Sequence, residues 1–186
     1  MPAVSLLEKL QPEIIKQGFE LYITNDLEVA KTYVKERYDG QDEKRFGLIA
    51  SSKPKFDPRY GIKNGWMDTR LVRFGPWYSD EPSSEKSCCA LNSTVTEFGC
   101  QGLELDMPII CWGEDLIWEN GWKKFSRGRG QKDPHILRLN SYRVLLSRGR
   151  DGIIVFIPDT PELKSTYKIL VESGLLELNL TEQPLV

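Results

Sequence analysis

Residues 153–157 read IIVFI, five apolar positions in succession. A strand with one wet face alternates apolar and polar residues. An unbroken apolar run suits a strand covered on both faces. Working outward, three more runs share this character: 107–112 (MPIICW), 45–51 (RFGLIAS) and 19–24 (FELYIT). Four such strands favour a parallel sheet clothed by helices, an α/β fold.

The intervening segments carry helical patterns. Residues 26–38 place Leu27, Ala30, Val34 and Tyr38 on one face, with Asn25 as the expected N-cap and Glu28 three residues on. Residues 139–148 (LNSYRVLLSR) predict a second helix, stopped near Gly149. Residues 161–173 predict a third, with Thr160 as N-cap, Pro161 at the first helical position and Gly174 as the stop. Two stretches resist assignment. Residues 52–86 hold Pro54, Pro58, Pro76 and Pro82 among glycines and aromatics, and residues 113–136 are rich in Trp, Gly, Lys and Arg. Both are predicted as long loop insertions, which in a compact domain tend to be functional or disordered.

The 186 residues suit one domain over 1–186, with its core over about 17–175. Apolar residues make up 40% and charged residues 28%, ordinary values for a globular chain. With a net charge of −2, any nucleic-acid site must be a local patch. There is no apolar run long enough to span a bilayer, and the N-terminus lacks a signal-peptide pattern, so a cytoplasmic protein with no membrane partner is expected. Cys88, Cys89, Cys100 and Cys111 form no CxxC pair and are expected to be reduced, mostly buried thiols. Their irregular spacing argues against a zinc site with His135, and no metal ligand is predicted.

Three constellations could carry chemistry. In 94–106 (TVTEFGCQGLELD) a hydroxyl-rich segment leads through Gln101, Gly102 and Glu104 into a strand. Glycine lets backbone approach a ligand, Gln101 can donate and accept, and Glu104 can accept from a ribose hydroxyl. Thr94 and Thr96 could bond a phosphodiester backbone. The plainer alternative is a turn with Glu104 solvated. In 138–150 (RLNSYRVLLSRGR), Arg148 sits at a helix end beside Gly149, where a guanidinium could reach a phosphate or simply complement the helix C-terminus. Between Lys123 and Arg150 lie nine basic residues, among them Lys124, Arg127, Arg129 and Arg143, and Trp112, Trp118 and Trp122 stand at or before the start of that span. Such a mixture can hold a single strand by stacking and charge, or can be a solvated loop with its tryptophans on the core. No G-x-x-x-x-G-K-[ST] loop, no GxGxxG and no nucleophile elbow occurs.

Taken together, Thr96 with Gln101-Gly102-Leu103-Glu104 looks like motif V of superfamily 1 helicases, and Ser147-Arg148-Gly149-Arg150 resembles their motif VI. More specifically, the chain resembles the Schlafen group 3 type DNA/RNA helicase-like domain of bacterial ATPases. The stretches that carry this are 23–27, 47–52, 87–89, 96–106 and 140–150, within about 17–175. The resemblance implies a three-layer RecA-like sandwich of the P-loop NTPase type, and the second lobe only. It implies that Arg148 is the catalytic arginine reaching the γ-phosphate, that Gln101, Gly102, Glu104 and Arg143 line the nucleotide, and that Thr94 and Thr96 lie toward the nucleic-acid groove. Lys123, Lys124, Arg127 and Arg129 would add charge there. The cofactor would be ATP with Mg2+, bound only when an N-terminal lobe carrying Walker A and Walker B completes the site. Single-stranded DNA or RNA would be the other partner. Phe98 departs from the His or Asp of many superfamily 1 helicases. The alternative is a stand-alone, non-catalytic module that binds nucleic acid or protein.

Overall fold

The four apolar runs become neighbours in one sheet. The computed structural model describes residues 16–123 and 135–179. The strands are β1 (Glu20–Thr24), β2 (Leu48–Ala50), β3 (Thr94–Thr96), β4 (Ile109–Cys111), β5 (Ile117–Trp118), β6 (Trp122–Lys123), β7 (Gly152–Phe156) and β8 (Leu176–Glu177). Six form one sheet in the order β3-β2-β4-β7-β1-β8, and every pairing in it is parallel. β5 and β6 form a separate antiparallel pair. The helices are α1 (Leu27–Arg37), α2 (Trp66–Thr69), α3 (Phe74–Ser79), α4 (His135–Leu146) and α5 (Lys164–Glu172). Sheet and helices make a three-layer α/β fold compatible with a RecA-like lobe.

The register explains why the runs are continuous. Val95, Ile49, Ile110, Val155 and Ile23 lie opposite one another across five strands, and none is exposed. Burying each such side chain contributes roughly 1.5–3 kcal/mol. A polar residue in that row would face a covered surface, so alternation is absent.

Helix boundaries shift from the sequence expectation for local reasons. Asp26, not Asn25, caps α1. Its carboxylate accepts from the Glu28 and Val29 amides at 2.9 and 3.3 Å, while the Asn25 amide donates to the Ile157 carbonyl at 2.7 Å. The second predicted helix already runs at His135 and ends at Leu146. The third starts at Lys164 rather than Pro161. Residues 161–163 form a turn in which the Leu163 amide donates to the Thr160 carbonyl, and Leu163 stands at the cap position without a side-chain bond. Its predicted stop holds. Gly174 has φ 106°, its amide donates to Val171, and the Leu175 amide donates to Leu170, the paired bonds of a Schellman ending.

The two insertions are structured where described. Asn64 is buried, and its amide donates to the carbonyls of Ser51 and Pro54, which fastens the first insertion to the end of β2. Trp77 of α3 packs on Gly47, where a Cβ would approach the indole to 3.0 Å. In the second, Asn120 and Gly121 take positive φ and turn β5 into β6. All four cysteines are buried and free. Burial raises Cys100 to about 11 and Cys111 to about 12. Among the described residues no helix is long and apolar enough to cross a membrane.

Candidate functional site

The segment after β3 folds back on itself. The Thr96 carbonyl accepts from the Gly99 and Cys100 amides at 2.8 and 3.0 Å, and the Cys100 carbonyl accepts from Leu103 at 3.1 Å. Gly102 has φ +78°, a conformation glycine adopts without steric cost. Gln101 and Gly102 therefore stand exposed at a tip, and Glu104 is exposed beside them. The Tyr78 hydroxyl donates to the Glu104 carbonyl at 2.8 Å and steadies this approach to β4.

The end of α4 meets the same place. Leu105 and Gly149 form a parallel bridge. The Leu105 amide donates to Arg148 at 2.8 Å, and the Arg150 amide donates to Leu105 at 2.9 Å. Gly149 is required at this crossing, because a Cβ would strike the Gly152 carbonyl. The Arg148 guanidinium is turned inward. Nε donates to the Val144 carbonyl at 3.0 Å, Nη1 to Leu103 at 3.2 Å and Nη2 to Ser147 Oγ at 3.0 Å. Arg150 Nε pairs with Glu104 Oε2 at 3.1 Å. Thus the segment carrying Glu104 meets Arg148 and Arg150 at the N-terminal ends of β4 and β7, with Gln101 and Gly102 exposed at the tip of the same segment. Arg143 does not join this pairing. It lies exposed on α4, donating to Asn140 at 3.0 Å.

Beneath this edge, Asp106 accepts from the Arg45 amide at 2.7 Å and from Lys44 at 3.2 Å, and Asp151 accepts from Lys44 at 2.8 Å and from the Tyr38 hydroxyl at 2.9 Å. Partial burial works against the Asp151 charge, but the Lys44 ammonium and the Tyr38 hydroxyl hold its carboxyl below the ordinary range.

The opposite, C-terminal ends of the strands hold a buried polar network that the sequence reading had not assigned. Arg138 is 4% exposed on its side chain and faces Glu97 at 3.5 Å and Asp115 at 3.3 Å. Ser51 Oγ lies 2.7 Å from Arg138 Nη1 and 2.6 Å from Asp115. The Tyr142 hydroxyl donates to Asp115 at 2.6 Å, and Ser141 donates to Glu97 at 3.1 Å. The Ser52 amide and hydroxyl also donate to Glu97, at 2.8 and 3.0 Å. Burial pushes Asp115 and Tyr142 upward. Glu97 opens the 97–104 segment, and α4 leads to Arg148, so one network braces both parts of the edge above. The signal for it was present in the spacing: Arg138, Ser141, Tyr142 and Leu145 occupy one helical face.

The residues expected to meet nucleic acid are distributed otherwise. Thr94 and Thr96 are 1% and 6% exposed, because the hydroxyl-rich segment is an edge strand packed under the first insertion. Lys123 pairs with Glu119 at 2.9 Å. Lys124, Arg127 and Arg129 lie outside the described residues. Trp112 is buried against Tyr142, and Trp122 contacts both Trp112 and Trp118, so the tryptophans form a core cluster. Among the described residues no group of three His, Cys, Asp or Glu side chains could hold a metal.

A model of the family described as Schlafen group 3, DNA/RNA helicase domain, matches residues 4–159. That span contains both bridged segments and the whole of β7. No curated protein and no solved structure matches the chain.

Proposed function

The chain belongs to the Schlafen group 3 DNA/RNA helicase domain family and so has a helicase-like, nucleic-acid-related role; on that premise we propose that it serves as the second lobe of an ATP-driven machine. The observation that carries this proposal is the bridge between Leu105 and Gly149, which sets Gly102 and Glu104 beside Arg148 and Arg150. One edge then offers exposed backbone, a carboxylate and two guanidinium groups, a set able to meet phosphates and a ribose.

In this reading Gly102 lets backbone approach the phosphates, Glu104 accepts from the ribose, and Gln101 lies against the γ-phosphate. Arg148 is parked on neutral carbonyls. Trading them for phosphate oxygens would set the guanidinium against an opposite charge, which it can meet in a bidentate fork. Arg143 is a more distant contributor. Mg2+ bound with the nucleotide would neutralise phosphate charge, and the Walker-motif residues of a first lobe would hold it. The chain has no phosphate-cradling loop, so turnover requires a lobe that supplies Walker A and Walker B.

The test is Arg148→Ala in a protein that includes the first lobe. ATP turnover should fall by a factor of order 10³ with nucleotide affinity little changed. Unchanged turnover removes the arginine-finger role.

A further inference from the structure

The first insertion holds a surface that none of the assignments above uses. Residues 53–74 carry six basic residues, Lys53, Lys55, Arg59, Lys63, Arg70 and Arg73, against two acids, Asp57 and Asp68, in a chain of net charge −2. Among the described residues only Arg59 of these six makes an ion pair, an exposed one with Asp57. The same stretch holds four of the large apolar side chains left exposed: Trp66 at 71%, Met67, Leu71 at 74% and Phe74. A fifth, Phe98 at 68%, is continuous with them, because the Phe74 ring lies over Gly99 at 2.6 Å from where a Cβ would stand. Arg70 sits 5.0 Å from the centre of the Trp66 ring, covering one side and leaving that ring mostly in solvent.

A cleft of about 620 Å³ opens beside this patch, between the insertion and the start of β3. Lys63, Arg73 and Lys86 line it, opposed by Asp68 and Glu85. Thr94 also lines it, and its hydroxyl is buried with no hydrogen-bond partner. The volume lies in the range of a small-molecule site of roughly 300–1,000 Å³, enough for a nucleotide unit.

Excess cations beside open aromatic faces fit one kind of occupant. A strand whose bases are unstacked can lay phosphates on lysine and arginine and a base on an indole. A paired duplex hides those base faces, and an apolar protein surface would leave the cations unmatched. We propose that the first insertion, residues 52–86, binds single-stranded nucleic acid, with Trp66 as the stacking platform and Lys63, Arg73 and Lys86 as phosphate contacts. This locates the nucleic-acid surface of the helicase-like reading on the insertion rather than on the basic span after Lys123.

Fluorescence anisotropy of the full chain with a labelled oligothymidylate, across a salt series, tests it. Wild type should bind, with affinity falling as salt rises. Trp66→Ala should weaken binding at least about fivefold. Lys63→Ala/Arg73→Ala/Lys86→Ala should weaken it and flatten the salt slope by about 2. These residues are surface ones, and matching thermal melts would show that the fold is intact. The proposal is overturned if the chain binds no oligonucleotide. It is also overturned if both variants bind like wild type, whether binding is then lost on replacing Lys123, Lys124, Arg127 and Arg129 or the insertion variants instead lose association with a protein lobe. None of these outcomes touches the Arg148 turnover test, so the two ideas fail separately.

Discussion

Arg138 is the residue on which most of the unassigned chemistry turns. It is buried between two carboxylates that reach it from distant segments, and five hydroxyl, phenol or amide donors complete the carboxylates' bonding. A buried pair of this kind need not add stability over an apolar core, but losing one partner strands the other's charge. Arg138→Met should therefore cost about 3–5 kcal/mol in urea unfolding. The pH dependence follows from Asp115, which burial already pushes upward. Without the guanidinium it should rise further and take up a proton in the folded state. A carboxyl with a raised folded pKa favours folding more as pH falls, so the deficit of the variant should shrink between pH 8 and pH 5. A deficit independent of pH would mean that the arginine stabilises by packing alone. The helical spacing of Arg138, Ser141 and Tyr142 was visible in the sequence, but their partners were not. Only the closed sheet brings Glu97 and Asp115 to one helix face.

At the scale of elements, the candidate site is a junction between two segments rather than a property of either. Leu105 and Gly149 bond as neighbouring strands would, just before β4 and β7 begin. Gly149→Ala should force them apart, since its Cβ would strike the Gly152 carbonyl oxygen and stand 2.8 Å from Ile153 Cγ2. A loss of about 1–3 kcal/mol is expected from overpacking of this kind. Hydrogen exchange gives the sharper check. The amides of Leu105 and Arg150 should exchange faster in the variant, while Ile154 within β7 stays protected. Uniform acceleration would show global loosening instead. The central elements were legible because strands covered on both faces advertise themselves as apolar runs. β3 was not, since Thr94 and Thr96 look hydrophilic although both are buried. The β5–β6 hairpin announced itself only through Asn120-Gly121, overlooked amid tryptophans and charges. The order of 101–104 and 148–150 along the chain suggested a shared site, but their backbone contact could be found only in the fold.

For the molecule as a whole, the chain's near-neutral charge hides an uneven distribution. The four described arginines from 138 to 150 all have internal partners: Arg138 in the core, Arg143 on Asn140, Arg148 on carbonyls and Arg150 on Glu104. Global integrity can be followed through the thiols. With Cys100 and Cys111 buried and raised to about 11 and about 12, iodoacetamide at neutral pH should label these two thiols slowly in the native protein. Urea should release both together. Rapid labelling before unfolding would show that the core opens locally. The strand order carries a consequence for how the protein is made. Of the six strands in the sheet β1 is made before the others, yet its hydrogen-bonding neighbours are β7 and β8, the two made after them. Until residue 156 is synthesised, both edges of β1 lack their partners. The nascent chain must carry an unpaired strand while the stretch from β1 to β7 is translated, and a ribosome that stalls before β7 leaves a product whose sheet is incomplete.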